Sequence, residues 1–129
     1  MPRSAPSFLV VEDELLIQML AVQNLEELGF KTEVAGSAAE AKSKLRLING
    51  EVDAAIIDIG LPDAKGDVLV NELRAIYPTL PIVIASGHDE ASLRERFKNQ
   101  RFISFLTKPY TVEQLCSALR FIGIFNEAP

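Results

Sequence analysis

Polar groups that could do chemistry stand at the ends of four short apolar runs. Glu12 and Asp13 follow residues 8–11, Asp58 follows 54–57, Ser86 follows 82–85, and Thr107 with Lys108 follows 102–106. Three carboxylates gathered in one place repel one another, so each must take up a proton or together they need a cation. Hard oxygen ligands suit Mg²⁺, which keeps several waters and takes one or two protein carboxylates. A divalent cation, a lysine and a hydroxyl can stabilise the charge on a phosphoryl group in transfer. A carboxylate among them is a known kind of acceptor. Each residue also has a plainer reading. Glu12 and Asp13 suit the start of a helix, where acids favour the dipole. Asp58 fits a turn before Gly60 and Pro62, Ser86-Gly87 is a common turn, and Lys108-Pro109 alone says little. Chemistry is the preferred reading because all of these would otherwise have to meet at one edge by chance.

The elements that would position them come from periodicity. Residues 8–11, 31–35, 54–57, 81–85 and 102–106 read as strands. Residues 8–11, 54–57 and 82–85 are nearly continuous apolar runs, as expected for strands buried on both faces of a parallel sheet. Between them lie helical stretches. The first, about 14–28, aligns Ile17, Leu20, Ala21, Leu25 and Leu28, with Gly29 as its stop. The second opens on Ser37-Ala-Ala-Glu40, a capping box, and should bury Ala41, Leu45 and Ile48. The third follows Gly66 with Val68, Leu69, Leu73 and Ile76, and Pro78 ends it. The fourth, about 90–98, is highly charged apart from Leu93 and Phe97. The fifth opens on a second capping box, Thr111-Val-Glu-Gln114, then Leu115, Ala118, Leu119 and Ile122. Five strand–helix repeats imply an α/β fold: a doubly wound, five-stranded parallel sheet with helices on both faces. Ligands of such sheets bind outside the carboxyl ends of the strands, which is where the polar groups above fall.

Composition narrows the function. A chain of 129 residues, 48% apolar, fits one domain. Residues 1–6 read as a short flexible tail and 7–129 as the domain. The net charge of −5, with Lys and Arg thinly spread, argues against direct nucleic-acid binding. Cys116 is the one cysteine, so no internal disulfide exists, and its apolar helical setting suggests a structural thiol. No apolar stretch is long enough for a signal peptide or a membrane span, and a cytoplasmic setting is expected.

With Val11-Glu12-Asp13-Glu14, Asp58 followed by Leu61-Pro62-Asp63 and Gly66, Ile84-Ala85-Ser86-Gly87, and Lys108-Pro109-Tyr110, the chain resembles the receiver domain of two-component response regulators. The resemblance runs from about residue 7 to 125 and implies a flavodoxin-like sheet of strand order 2-1-3-4-5. It implies that Asp58 accepts the phosphoryl group. It implies Mg²⁺ held by Asp13, by Asp58, by the backbone carbonyl of Gly60, and by Glu12 through water. It implies that Ser86 and Lys108 contact the phosphoryl oxygens and that Phe105 is an aromatic switch partner of Ser86. The Lys108–Pro109 bond resembles one that is cis in this family. The implied phosphodonor is a histidine kinase or a histidine phosphotransfer protein. The domain would assist its own phosphorylation and dephosphorylation without being an enzyme in the ordinary sense. The readout surface would be the fourth helix, fifth strand and fifth helix, through which a homodimer could also form.

Some features depart from the family pattern. Ile59-Gly60 stands where a larger second side chain is common, which implies an open site. Lys98-Asn-Gln-Arg101 replaces an Ala-Gly turn. His88 lies near the site and is assigned no catalytic role. Phe121-Ile-Gly-Ile-Phe125 is unusually apolar and is expected to pack back on the sheet. A flavodoxin-like cofactor module is the alternative from another class, but Glu12-Asp13-Glu14 would repel a flavin phosphate where amides are wanted. A haloacid-dehalogenase-type phosphatase needs its acids on the first strand two residues apart, which this chain lacks.

Overall fold

Strands and helices alternate along the whole chain in a computed structural model that describes residues 6–87 and 90–124. They are β1 (Ser7–Val11), α1 (Leu15–Glu27), β2 (Lys31–Ala35), α2 (Ala38–Leu47), β3 (Ala54–Asp58), α3 (Gly66–Ile76), β4 (Ile82–Ser86), α4 (Glu90–Arg96), β5 (Ile103–Thr107) and α5 (Val112–Phe121). The expected residues 1–5 of the tail, His88 and Phe125 lie outside the described residues. The five strands form one parallel sheet in the order β2-β1-β3-β4-β5, as the resemblance implies.

The sheet separates two apolar layers. On one face, α1 and α5 pack Ala21, Leu25, Leu115 and Leu119 against Phe8, Val10, Ile56 and Val83. On the other, α2, α3 and α4 pack Leu45, Leu69, Leu73, Leu93 and Phe97 against Leu9, Ile57, Ile82 and Ile84. Central β3 and β4 are buried along their full length, which explains their uninterrupted apolar sequence. Edge strand β2 alternates between exposed and partly buried residues up to its buried last residue. Among the described residues no helix is long and apolar enough to cross a membrane.

Several helix faces differ from the sequence reading. In α3 the buried arc is Gly66, Leu69, Val70 and Leu73, while Val68 and Ile76 are exposed. Gly66 sets this rotation: a Cβ there would lie 2.4 Å from the Asp58 carbonyl oxygen and 2.5 Å from the Ile59 Cα. The helix must therefore begin against the end of β3, and the spacing i, i+3, i+4, i+7 follows from that residue. In α1, Ala21 and Leu25 are buried but Leu20 is exposed, along with Leu15, Leu16 and Met19. This helix carries more apolar residues than one face can cover. The box at α2 is not reciprocal. Ser37 Oγ accepts from the Glu40 N–H, but the Glu40 carboxylate takes the N–H of Gly36 at 2.7 Å. The box at α5 is reciprocal, through Thr111 and Gln114.

The turn that lacks Ala-Gly is held from outside. Arg74 of α3 donates to the carbonyls of Leu80 at 2.7 Å and of Arg101 at 3.1 Å, tying the start of β4 to the approach of β5. Helix α4 ends at Arg96, two residues earlier than expected, with Leu93 and Phe97 buried as read. Cys116 is buried. At the carboxyl end of α5, Ile122 is buried and Ile124 packs against the core, whereas Phe121 is exposed.

Gly66→Ala should lower the unfolding free energy by about 1–3 kcal/mol, because the added methyl meets backbone that cannot swing aside. Urea denaturation measures this, and an unchanged midpoint would show that the β3–α3 segment yields.

Candidate functional site

β3, β4 and β5 end on polar residues and β1 is followed by two, Glu12 and Asp13, and parallel pairing brings those ends to one rim. β1 and β3 lie side by side with Val11 opposite Ile57, so Glu12 and Asp58 are neighbours. Lys108 reaches the same point because its own N–H donates to the Ser86 carbonyl at 2.7 Å, extending the β4–β5 ladder by one residue. The Lys108–Pro109 bond that follows is cis, as the resemblance implies.

The carboxylates of Glu12, Asp13 and Asp58 offer oxygens that all lie within 4.8 Å of one another. Glu12 and Asp58 are buried and Asp13 is exposed. The Lys108 ammonium donates to Asp58 Oδ1 at 2.6 Å and to Glu12 Oε1 at 3.3 Å. One cation thus faces three acids, which leaves room for a further positive charge. An all-oxygen set open on one side fits a hard divalent ion such as Mg²⁺. Gly60 stands beside the cluster, its Cβ direction ending 3.8 Å from Asp58 Oδ2.

Glu12 is positioned by more than its strand. Its carbonyl accepts from Gln18 Nε2 at 2.9 Å and its carboxylate from the N–H of Glu14 at 3.2 Å. Burial pushes the Glu12 carboxyl above its ordinary 4.5; the Glu14 amide pulls it back, the Asp58 charge adds to the rise, and Lys108 opposes it. For Lys108, burial alone would lower the ammonium, but the hydrogen bond and charge of Asp58, then the charge of Glu12, hold it above 10.5. Tyr110 is also pushed upward, by burial first and by Glu12 second.

Ser86 ends β4 with its Oγ buried and, among the described residues, without a hydrogen-bond partner. A buried hydroxyl left unpaired is costly and marks a place where a ligand oxygen is awaited. Phe105 lies on the next strand, opposite Ile84. It packs against the same apolar layer as Ile84, so it shares a sheet face with Ser86 two residues further along β4. The Arg94 guanidinium of α4 sits over its ring at 4.9 Å. The structure therefore brings Glu12, Asp13, Asp58 and Lys108 into one cluster, with Gly60 beside it, Ser86 at the end of the neighbouring strand and Phe105 on Ser86's sheet face. Sequence reasoning missed Gln18 and Arg94. Their partners are four or more residues away, and neither residue type signals such a contact.

The family model for the response regulator receiver domain matches residues 8–120. The chain belongs to that family. Among similar proteins, the sensor kinase CckA of Brucella abortus (strain 2308) is 30% identical over 112 residues, covering 87% of this chain and 12% of that protein. The transcriptional regulatory protein PdtaR of Mycobacterium tuberculosis (strain ATCC 25618 / H37Rv) is 29% identical over 121 residues, 92% of this chain and 58% of its own. A sensor protein from Polaromonas sp. JS666 is similar in structure, with TM-score 0.77, 31% identity, and coverage of 94% and 97% of the two chains. The receiver domain of sensor histidine kinase PA1611 from Pseudomonas aeruginosa PAO1, seen with a magnesium ion coordinated in its active site cleft, gives TM-score 0.79 at 24% identity and covers 92% and 98%. This receiver domain spans between 12% and 58% of the length of the curated bacterial relatives compared here. Receiver domains are phosphoacceptor signalling domains of two-component systems that receive phosphoryl groups from histidine kinases, and the acidic cluster of this one could bind Mg²⁺.

The direction of the Glu12 shift fixes a pH dependence. Its native form binds a proton more tightly than the unfolded chain does, so this group favours folding at acid pH. That contribution is lost as pH rises from 4.5 through the native value. In carboxylate NMR titrations without added metal, Glu12 should titrate above 4.5, and Lys108→Met should move it higher still by removing the opposing cation. A downward move in the variant would contradict the ion pair drawn here.

Proposed function

We propose that residues 7–129 act as a phosphorylation-dependent switch in which Asp58 accepts a phosphoryl group from a phosphohistidine. The observation that carries this reading is the Lys108 ammonium 2.6 Å from Asp58 Oδ1, within a cluster of three acids at the sheet edge. In the transfer an Asp58 oxygen bonds to phosphorus, the phosphorus–nitrogen bond of the donor breaks, and the histidine nitrogen leaves with its electron pair. Bound Mg²⁺ supplies charge neutralisation for the phosphoryl oxygens. Asp13, Asp58 and the Gly60 carbonyl would hold it directly and Glu12 through water. Lys108 holds the acceptor carboxylate and pairs with the incoming negative charge as a point cation.

The unpaired Ser86 hydroxyl would donate to a phosphoryl oxygen. That draws the end of β4 toward the acceptor and leaves space on the sheet face it shares with Phe105. Phe105 would move into it, leaving its place under Arg94, and so change the α4–β5–α5 surface. The phosphoryl group biases two arrangements of one fold rather than building a new one. A groove of about 430 Å³ on that surface, lined by Arg94, Phe105, Glu113, Ser117 and Phe121, is where the output would be read. The exposed Phe121 ring supports pairing with a second copy there. The phosphodonor, a histidine kinase or a phosphotransfer protein, must approach over Asp13. The exposed Leu15, Leu16, Met19 and Leu20 offer it an apolar landing on α1. A cytoplasmic setting follows from such a donor.

Incubation with acetyl phosphate and Mg²⁺ should add one phosphoryl group to the wild type, read by intact mass, and none to Asp58→Asn. Equal labelling of both would sink the assignment. Lys108→Ala should still bind Mg²⁺ but show little of the shift at Phe105 that beryllofluoride produces in the wild-type NMR spectrum. Loss of Mg²⁺ binding in that variant would contradict the role given to Lys108.

A further inference from the structure

The segment between β3 and α3 carries Gly60 past the acid cluster, and what holds it there is not local. Its ends close on each other: the Gly66 N–H donates to the Ile59 carbonyl at 2.8 Å, and Gly60 pairs with Lys65 across the turn. Its middle is tied to another helix. The Asp63 carboxylate accepts the N–H of Ala38 on Oδ1 at 2.8 Å and that of Ala39 on Oδ2 at 3.0 Å. These are the first two amides of α2. The third, Glu40, donates to Ser37 Oγ at 3.1 Å, and the Ala41 N–H reaches the Ser37 carbonyl at 3.0 Å. The last is the first bond within the helix; the three open amides before it are thereby accounted for, two of them by a residue from a different layer connection.

The Ala39 bond is exposed and the Ala38 bond partly buried, and together they tie the β3–α3 segment to the start of α2. A carboxylate at a helix start also gains from the dipole. The pair of amide bonds holds the Asp63 carboxyl below its ordinary 3.8, so it is charged and engaged at neutral pH. Beyond this contact, the segment is held by the closure of its ends, by the buried Leu61 side chain and by the Ile59 N–H on the Ala85 carbonyl at 3.0 Å. These act on residues 59–61 and 65–66, and Asp63 anchors the middle of the turn between them.

We propose that Asp63 is a positioning residue for the divalent cation: clamped to the start of α2, it holds the turn so that the Gly60 backbone stays beside the acid cluster. This rests on the metal reading given above. Its loss loosens a ligand without touching one, as happens when a group that orients a metal ligand is removed.

The test pairs two variants of the same helix start. Asp63→Ala and Ser37→Ala each remove capping bonds from α2, but only the first releases the turn. Mg²⁺ affinity is read by NMR titration without phosphodonor, together with hydrogen exchange at the Gly66 amide and urea stability. The expected result is Mg²⁺ binding weakened about 10-fold in Asp63→Ala with faster exchange at Gly66. Ser37→Ala should keep wild-type affinity at a comparable loss of stability. Asp63→Asn, which retains one acceptor oxygen, should fall between wild type and Asp63→Ala and serves if the alanine variant folds poorly. Wild-type affinity in both Asp63 variants, or equal weakening by Ser37→Ala, would overturn the proposal while leaving the metal site standing. Absence of Mg²⁺ binding in the wild type, or binding that survives Asp13→Asn and Asp58→Asn, would overturn the metal reading and this inference with it.

Discussion

Repulsion between acids that the sheet will not let apart is the constraint on which the rest of this molecule depends. Their nearest ligand oxygens lie within 4.8 Å. At that spacing two unit charges in an effective dielectric near 20 repel by about 3 kcal/mol. The strands cannot relieve this by sliding, because β3 is buried throughout and β1 along all but its first residue. Relief must come from a charge or a proton. Lys108 supplies one cation, Glu12 holds its proton more tightly than usual, and the remaining deficit is what makes a divalent ion welcome.

The cluster is joined to the rest of the molecule along the strands. Ser86 and Lys108 sit on adjacent strand ends joined by a backbone hydrogen bond, so one cannot shift without the other feeling it. Phe105 lies three residues before Lys108 on the strand that delivers it, and its ring meets Arg94 of α4. Among the described residues, α4 and the residue after it bury two large side chains, Leu93 and Phe97, and Arg96 pairs with Asp67 of α3. On the opposite layer α1 and α5 lie on Phe8, Val10 and Val83.

The same architecture carries many unrelated functions, so the fold alone would say little. What distinguishes this chain is which residues occupy the rim. The loop after β1 is acidic where a phosphate-binding loop would be glycine-rich, and a lysine stands at the end of β5 with a serine at the end of β4. The β3–α3 segment has two further duties at once: Gly66 must be small where α3 begins against Asp58, and Asp63 must reach the start of α2.

The strands were legible from the sequence because burial on both faces forbids polar residues within them, and the site residues were legible because they are the first polar groups after each run. Residue type and position in the run carry that information without any knowledge of distant contacts. The helix faces were less legible. Leu20, Val68 and Ile76 fit an apolar stripe equally well, yet the rotation of α3 is set by Gly66 against Asp58, a contact across the chain. Glu40 reaches Gly36 instead of its own cap, and Asp63 caps a helix 25 residues upstream. The sequence by itself thus determined which groups would meet at the sheet edge. Tertiary structure alone decided how they are held there, because a capping carboxylate, a ring under a guanidinium and an unpaired buried hydroxyl are defined by neighbours that no local pattern names.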